Sequence, residues 1–165
     1  MQGYKQVSVY GISFDVSSKQ PIVLLKVKGE NRFLPIWIGP PEAAAIIIRF
    51  QKAELSRPMT HDLLASVINE LSAELVEVLL TELRNDTFYA SIKLKVLDGQ
   101  EIILDSRPSD AIALALRTDT PIFAADEIVE TNTIEFDHEI EDMENTLKEF
   151  REFLDEVSPE DFSKA

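Results

Sequence analysis

Apolar and polar residues alternate through much of the first forty positions, the period of two that sends successive side chains to opposite faces of a strand. Over residues 4–16 the phase slips: Val7 and Val9 are odd, Ile12 and Phe14 even, and Gly11 lies between them. A one-residue slip at a glycine predicts a β-bulge. Ser17-Ser18-Lys19 turns into a second strand, Pro21 to Lys28, and Gly29-Glu30-Asn31 into a third, Arg32 to Ile38. These turn signals predict a three-stranded meander. Gly39-Pro40-Pro41-Glu42 then stops the strand and opens a helix, predicted from about Pro41 to Leu55. Proline is tolerated in a first helical turn, and an acid there suits the helix dipole. With Ala43 to Ile48 and Phe50, this helix is apolar nearly all round, the pattern of a central or subunit-contacting element.

After the Arg57-Pro58-Met59-Thr60 break, Leu63, Leu64, Val67, Ile68 and Leu71 form the stripe of a second helix, His61 to about Ser72. Strand character returns over 74–83 and, after Asn85-Asp86, over 87–97. Asp98-Gly99 is the strongest hairpin signal and leads to a strand from Gln100 to Asp105. Ser106-Arg107-Pro108-Ser109-Asp110 opens a third helix to Arg117, and Pro121 to Ala125 is a short strand. The two halves therefore match: three strands, then a helix start in which Pro40-Pro41-Glu42-Ala43 aligns with Pro108-Ser109-Asp110-Ala111. The expected fold class is α+β, with two meander-plus-helix halves forming a mixed or antiparallel sheet packed by helices. Farther on, Ile140, Met143, Leu147, Phe150, Leu154 and Val157 alternate spacings of three and four, which predicts a C-terminal amphipathic helix. The expected organisation is a body over 1–134 and an acidic helical tail over 135–165, laid on the body or on a neighbouring subunit.

Charge sharpens that division. The 165 residues carry a net charge of −14. Residues 1–125 account for −2 of it and residues 126–165 for −12. A nearly neutral body can still present a local basic face, whereas an acidic tail repels polyanions. The absence of cysteine excludes a disulfide scaffold, a thiolate zinc site and a cysteine nucleophile. No apolar run approaches the ~20 residues of a membrane span, and Met1 to Val7 lacks a signal-peptide core, so the expected location is the cytoplasm. Five glycines are too few and wrongly spaced for P-loop, dinucleotide or serine-hydrolase fingerprints.

The candidate chemistry lies at helix starts. Asp62, Asp105 and Asp110 are candidate ligands for Mg²⁺ or Mn²⁺, which would activate water and neutralise phosphodiester charge. His61 is a candidate general acid or base. Arg57 and Arg107 are candidate phosphate clamps, with Ser109 beside them. Helix-dipole compensation accounts equally for Glu42, Asp62 and Asp110, and structural Arg–Asp pairing for both arginines. Asp105, at a strand end, is the least readily explained by capping. Lys26 and Lys28 share a strand face, as do Lys93 and Lys95, and would form a four-lysine phosphate patch if their strands were neighbours. Trp37, Phe88 and Tyr89 are able to stack bases, but Trp37 between Ile36 and Ile38 is expected in the core.

Four segments carry a resemblance: Leu34-Pro35-Ile36-Trp37-Ile38-Gly39-Pro40-Pro41-Glu42-Ala43, Arg57-Pro58-Met59-Thr60-His61-Asp62-Leu63-Leu64, Thr87-Phe88-Tyr89-Ala90, and Asp105-Ser106-Arg107-Pro108-Ser109-Asp110 running on to Ala115. In this order they resemble the bifunctional nuclease family over about residues 6–130. The resemblance implies an α+β fold and action on both DNA and RNA. It marks Arg57, His61, Asp62, Asp105, Arg107, Ser109 and Asp110 as family-characteristic, while the roles given above come from their chemistry. The expected function is metal-assisted hydrolysis of DNA or RNA by a homo-oligomer. The rival is a non-catalytic oligomeric regulatory protein acting through protein partners, favoured by the acidic tail and the apolar helix at 41–55.

Overall fold

The computed structural model describes residues 3–135, and the expected acidic tail helix lies outside the described residues. The first meander consists of β1 (Tyr4–Asp15), β2 (Gln20–Val27) and β3 (Arg32–Trp37), followed by helices α1 (Pro40–Phe50) and α2 (Thr60–Glu70). The second consists of β4 (Glu74–Arg84), β5 (Thr87–Lys95) and β6 (Glu101–Ser106), followed by α3 (Pro108–Thr118). The described chain closes with β7 (Ile122–Ala125), α4 (Asp126–Asn132) and β8 (Ile134–Glu135). The eight strands of the described residues form one mixed, open sheet in the order β6-β5-β4-β7-β1-β2-β3-β8. β7 lies between the meanders, antiparallel to β1 and parallel to β4, and so joins the two halves into one sheet. The α+β class and the paired halves are as the sequence predicts.

The register of β1 on β2 shifts between Val9 and Gly11, where the hydrophobic phase slips. Asn85 and Asp86 both take positive φ, the geometry that turns β4 into β5, and Gly99 does the same in the next hairpin. α1 stops at Phe50 rather than near Leu55. Lys52 is left-handed at φ 53°, and the Ala53 N–H reaches back to the Ile48 carbonyl at 3.0 Å. Closures of this kind also end α2 (Ser72, φ 56°) and α3 (Asp119, φ 52°). Glycine, the usual signal for such an ending, is absent from all three, so the sequence overruns α1. The sequence reading also passes over α4, whose Ile128 and Val129 are buried behind an acidic first turn.

The core joins Val23, Leu25, Leu34, Ile36, Val78, Leu80 and Ile122 of the sheet to Ala43, Ile46, Ile112 and Leu114 of α1 and α3. α1 is thus central, packed along α3. α2 differs from its predicted role as a packed stripe: Ile68 is buried, while Leu63, Leu64, Val67 and Leu71 are exposed. α2 rests chiefly on α3, so only one side of its apolar surface has a neighbour.

Candidate functional site

The two proline-started helices place their acids at equivalent positions. Glu42 is the third residue of α1 and Asp110 the third of α3. Arg107, immediately before α3, joins them: its Nη1 donates to Glu42 Oε1 at 3.0 Å and its Nε to Asp110 Oδ2 at 2.8 Å. At the equivalent place before α1 the residue is Gly39. A side-chain carbon there would run into the Glu42 carboxylate, which folds back over its own helix start. His61, in the first turn of α2, completes the group, with Nε2 2.9 Å from the other oxygen of Asp110. Burial opposes the charged form of Asp110, but hydrogen bonds from Arg107 and His61 outweigh it and hold its pKa below the ordinary value. An ionised carboxylate can only accept, so we assign the His61 proton to Nε2, which leaves Nδ1 as the basic nitrogen.

Asp62, next to His61, has a separate task. Its Oδ2 accepts the Met59 N–H at 2.8 Å, capping α2, and its Oδ1 accepts from Arg117 Nε at 2.6 Å. Burial works against the Asp62 charge, yet the Met59 and Arg117 hydrogen bonds prevail and its pKa is lowered. Arg117 is almost wholly buried and also donates to the carbonyls of Ala113 and Ala45, which locks α2, α3 and α1 together.

The three aspartates expected to hold a metal do not converge. Both oxygens of Asp110 and of Asp62 are engaged by nitrogen donors, while Asp105 lies on exposed β6 without a side-chain partner among the described residues. Among the described residues no three His, Asp or Glu side chains are grouped to hold a metal ion. As arranged here, these residues do not fit a metal centre.

Two clefts are lined by residues of the cluster or by their chain neighbours. A cleft of about 490 Å³ is lined by Arg49, Lys52, Arg57 and the Asp62–Arg117 pair, with Glu54 as its other acid. The Lys52 and Arg57 side chains make no hydrogen bond or ion pair among the described residues, so this cleft carries uncompensated positive charge. A second cleft, of about 280 Å³, is lined by Trp37, Gly39, Glu42, Asp86, Phe88, Arg107 and Ser109 among others. Trp37 is 51% exposed here, which corrects the core expectation. The signal was available: Ile36 and Ile38 are both buried, and strand parity turns the residue between them outward.

The four-lysine patch does not form, because three strands separate β2 from β5. Lys93 is paired with Glu77, Lys28 donates to Gln6, and Lys26 lies over the rings of Tyr10 and Phe33. Lys95 faces Glu74 and Glu101 in the strand register. Glu42 was the candidate that sequence reasoning assigned only to the dipole; its alignment with Asp110 was the available sign of a shared site.

No helix of the described residues is long and apolar enough to cross a membrane. The family model described as "Bifunctional nuclease domain" matches residues 23–137. "Uncharacterized protein Rv1829" of Mycobacterium tuberculosis is 38% identical over 163 residues, covering 95% of this chain and 97% of that protein. "Bifunctional nuclease 2" of Oryza sativa subsp. japonica is 28% identical over 115 residues, 68% of this chain and 35% of its own length. "Bifunctional nuclease 1" of Arabidopsis thaliana is 27% identical over 105 residues, 62% and 32% respectively. The chain thus spans about a third of the length of these plant relatives. With the family model matched over most of its length, and a relative of that identity aligned nearly end to end, this chain belongs to the bifunctional nuclease domain family.

Proposed function

We propose that the protein hydrolyses phosphodiester bonds in DNA or RNA. The observation that carries the reading is the contact among His61, Asp110 and Arg107, made by two segments 49 residues apart, with Arg107 lining an aromatic cleft and Asp62, next to His61, lining a cationic one. In this reading His61 Nδ1 exchanges a proton with the attacking or leaving oxygen. Asp110 positions the ring and offsets the charge it gains. Arg107 is 65% exposed and retains donors beyond those given to Glu42 and Asp110, so it can hold a non-bridging oxygen. Arg57, Lys52 and Arg49 would hold neighbouring phosphates of the strand. The plant relatives' names support nucleic acid as substrate, and the contact geometry supports proton transfer as the chemistry.

The test is cleavage of single-stranded RNA and of plasmid DNA by the full chain, beside His61→Ala and Asp110→Asn purified identically. Mg²⁺, Mn²⁺ and chelator arms read metal dependence. Cleavage by the parent that falls about a hundredfold or more in His61→Ala supports the reading. Equal cleavage by parent and variant removes it.

A second reading concerns assembly. Leu63 and Val67 on α2, with Met59 and Leu71 at its two ends, are exposed, and Glu70 is the one charged residue among the exposed positions of α2. Such a surface can meet a second copy without like-charge repulsion, and we assign it to self-association about a two-fold axis. Sedimentation of the parent and of Leu63→Glu tests this: a dimer that becomes monomeric supports it, and an unchanged mass removes it.

A further inference from the structure

The smaller cleft has properties that phosphate binding does not require. The chain's single tryptophan forms one wall at half exposure, and Phe88 is a second aromatic wall. Ser109, in the first turn of α3, is mostly buried, but its hydroxyl reaches solvent and has no protein hydrogen-bond partner among the described residues. A hydroxyl that reaches solvent without a protein partner is free to donate to, or accept from, a bound group. Arg107 lies at the same cleft, between the carboxylates of Glu42 and Asp110. Flat aromatic surface, one available hydroxyl and an adjacent guanidinium together match a planar heterocycle attached to a phosphate.

We infer that this cleft takes one unpaired nucleobase of a single-stranded nucleic acid, stacked on Trp37 beside Phe88, with the Ser109 hydroxyl on its polar edge and its phosphate directed to Arg107. The inference rests on the nucleic-acid reading above and adds a strand preference to it. A base within a duplex must be unpaired and unstacked before it can enter, and a single strand avoids that cost. Stacking accepts any base, because each has a π-face, so the preference is for single strands and not for a sequence.

The position of Trp37 supplies the assay, because the only tryptophan reports directly on the cleft. The full chain is titrated with an uncleavable 2′-O-methyl RNA single strand and with the same strand in a duplex, following tryptophan fluorescence. A second, labelled copy of each ligand gives affinities for the variants. The expected result is quenching by the single strand with tighter binding than to the duplex. Trp37→Ala should bind the single strand about tenfold or more weakly, Trp37→Phe should recover most of that loss, and Ser109→Ala should lose less than Trp37→Ala. Thermal unfolding of each variant verifies its fold; Trp37 is half exposed, so its replacement leaves no core cavity. Equal affinity of parent and Trp37→Ala, or equal binding of single strand and duplex, overturns the inference while cleavage by the parent still stands. Quenching and a single-strand preference without any cleavage would overturn hydrolysis and leave the base site standing. No binding by the parent overturns both.

Discussion

The two halves of the sheet are built alike and used differently. Each is an antiparallel meander leading into a helix that begins with proline and has an acid at its third position, and the two helices pack along one another. The residues that shape these elements correspond: Pro40 with Pro108, Glu42 with Asp110, Ala43 with Ala111. The residues just before them do not. The first half has Trp37 and Gly39 where the second has Asp105 and Arg107. Gly39 gives Glu42 room to fold back, and Arg107 fills the space between the two acids. Trp37 opens on the cleft that Arg107 borders, while Asp105 stands apart on β6. The shared prolines and acids thus give the two helix starts one plan, and the unshared Gly39, Trp37 and Arg107 make their surroundings differ.

The largest expected effect falls on the group that neither half supplies, because α2 carries His61 to Asp110. His61→Ala should lower strand cleavage by roughly 10²- to 10⁴-fold with the unfolding midpoint little changed. Asp110→Asn should lose part of that rate and shift the acidic limb of the pH–rate profile, a shift that a merely structural residue would not produce. An unshifted profile would place Asp110 outside the chemistry.

The exchanged pair comes next. Arg107→Ala and Gly39→Ala alter equivalent positions with opposite expectations. The first should impair cleavage and binding about tenfold or more while the fold persists. The second should cost about 1 kcal/mol of stability, because the added carbon displaces Glu42, with a smaller effect on rate. Urea unfolding and initial rates on the same preparations separate the two. Equal stability losses would show that the halves do not differ in use.

A smaller change is expected in the cationic cleft. Arg57→Ala should reduce the salt dependence of single-strand binding by about 0.7 in the log–log slope, one phosphate contact, without altering the tryptophan quench. Finally, Asp62 ionises more readily when folded than when unfolded, because Met59 and Arg117 favour its charge over the burial that opposes it. Its contribution is therefore complete above the unfolded carboxyl pKa, about 4, and is lost as pH falls through the lowered folded value. The stability difference between parent and Asp62→Asn should be widest near neutral pH and should narrow below about pH 4. A difference that persists in acid would mean that Asp62 acts through shape and not charge.

Local signals in the chain proved dependable where chemistry and position coincide within a few residues. The bulge at Gly11, the Asn85-Asp86 and Asp98-Gly99 turns and both proline-started helices are written in adjacent side chains. The overrun of α1 has a local cause too, since Lys52, Ser72 and Asp119 adopt the left-handed conformation usually given to glycine. Placing Trp37 in the core ignored parity that Ile36 and Ile38 had already set.

What depended on distance could not be read this way. The lysine pairs needed to know that β7, β4 and β1 intervene between β2 and β5. The aspartates needed to know which nitrogens they would meet: His61 and Arg107 for Asp110, Arg117 for Asp62, and, among the described residues, no side-chain partner for Asp105. By itself, then, the sequence determined the α+β class, the order of elements from β1 to β7, the duplicated plan and the residue types available at the helix starts, because periodicity, turns and caps are properties of neighbouring residues. Tertiary structure alone decided that Glu42, His61, Arg107 and Asp110 meet in one cluster and that Lys93 and Asp62 are paired with Glu77 and Arg117. A charge acts according to the groups within a few ångströms of it, and in this chain those groups come from segments tens of residues away.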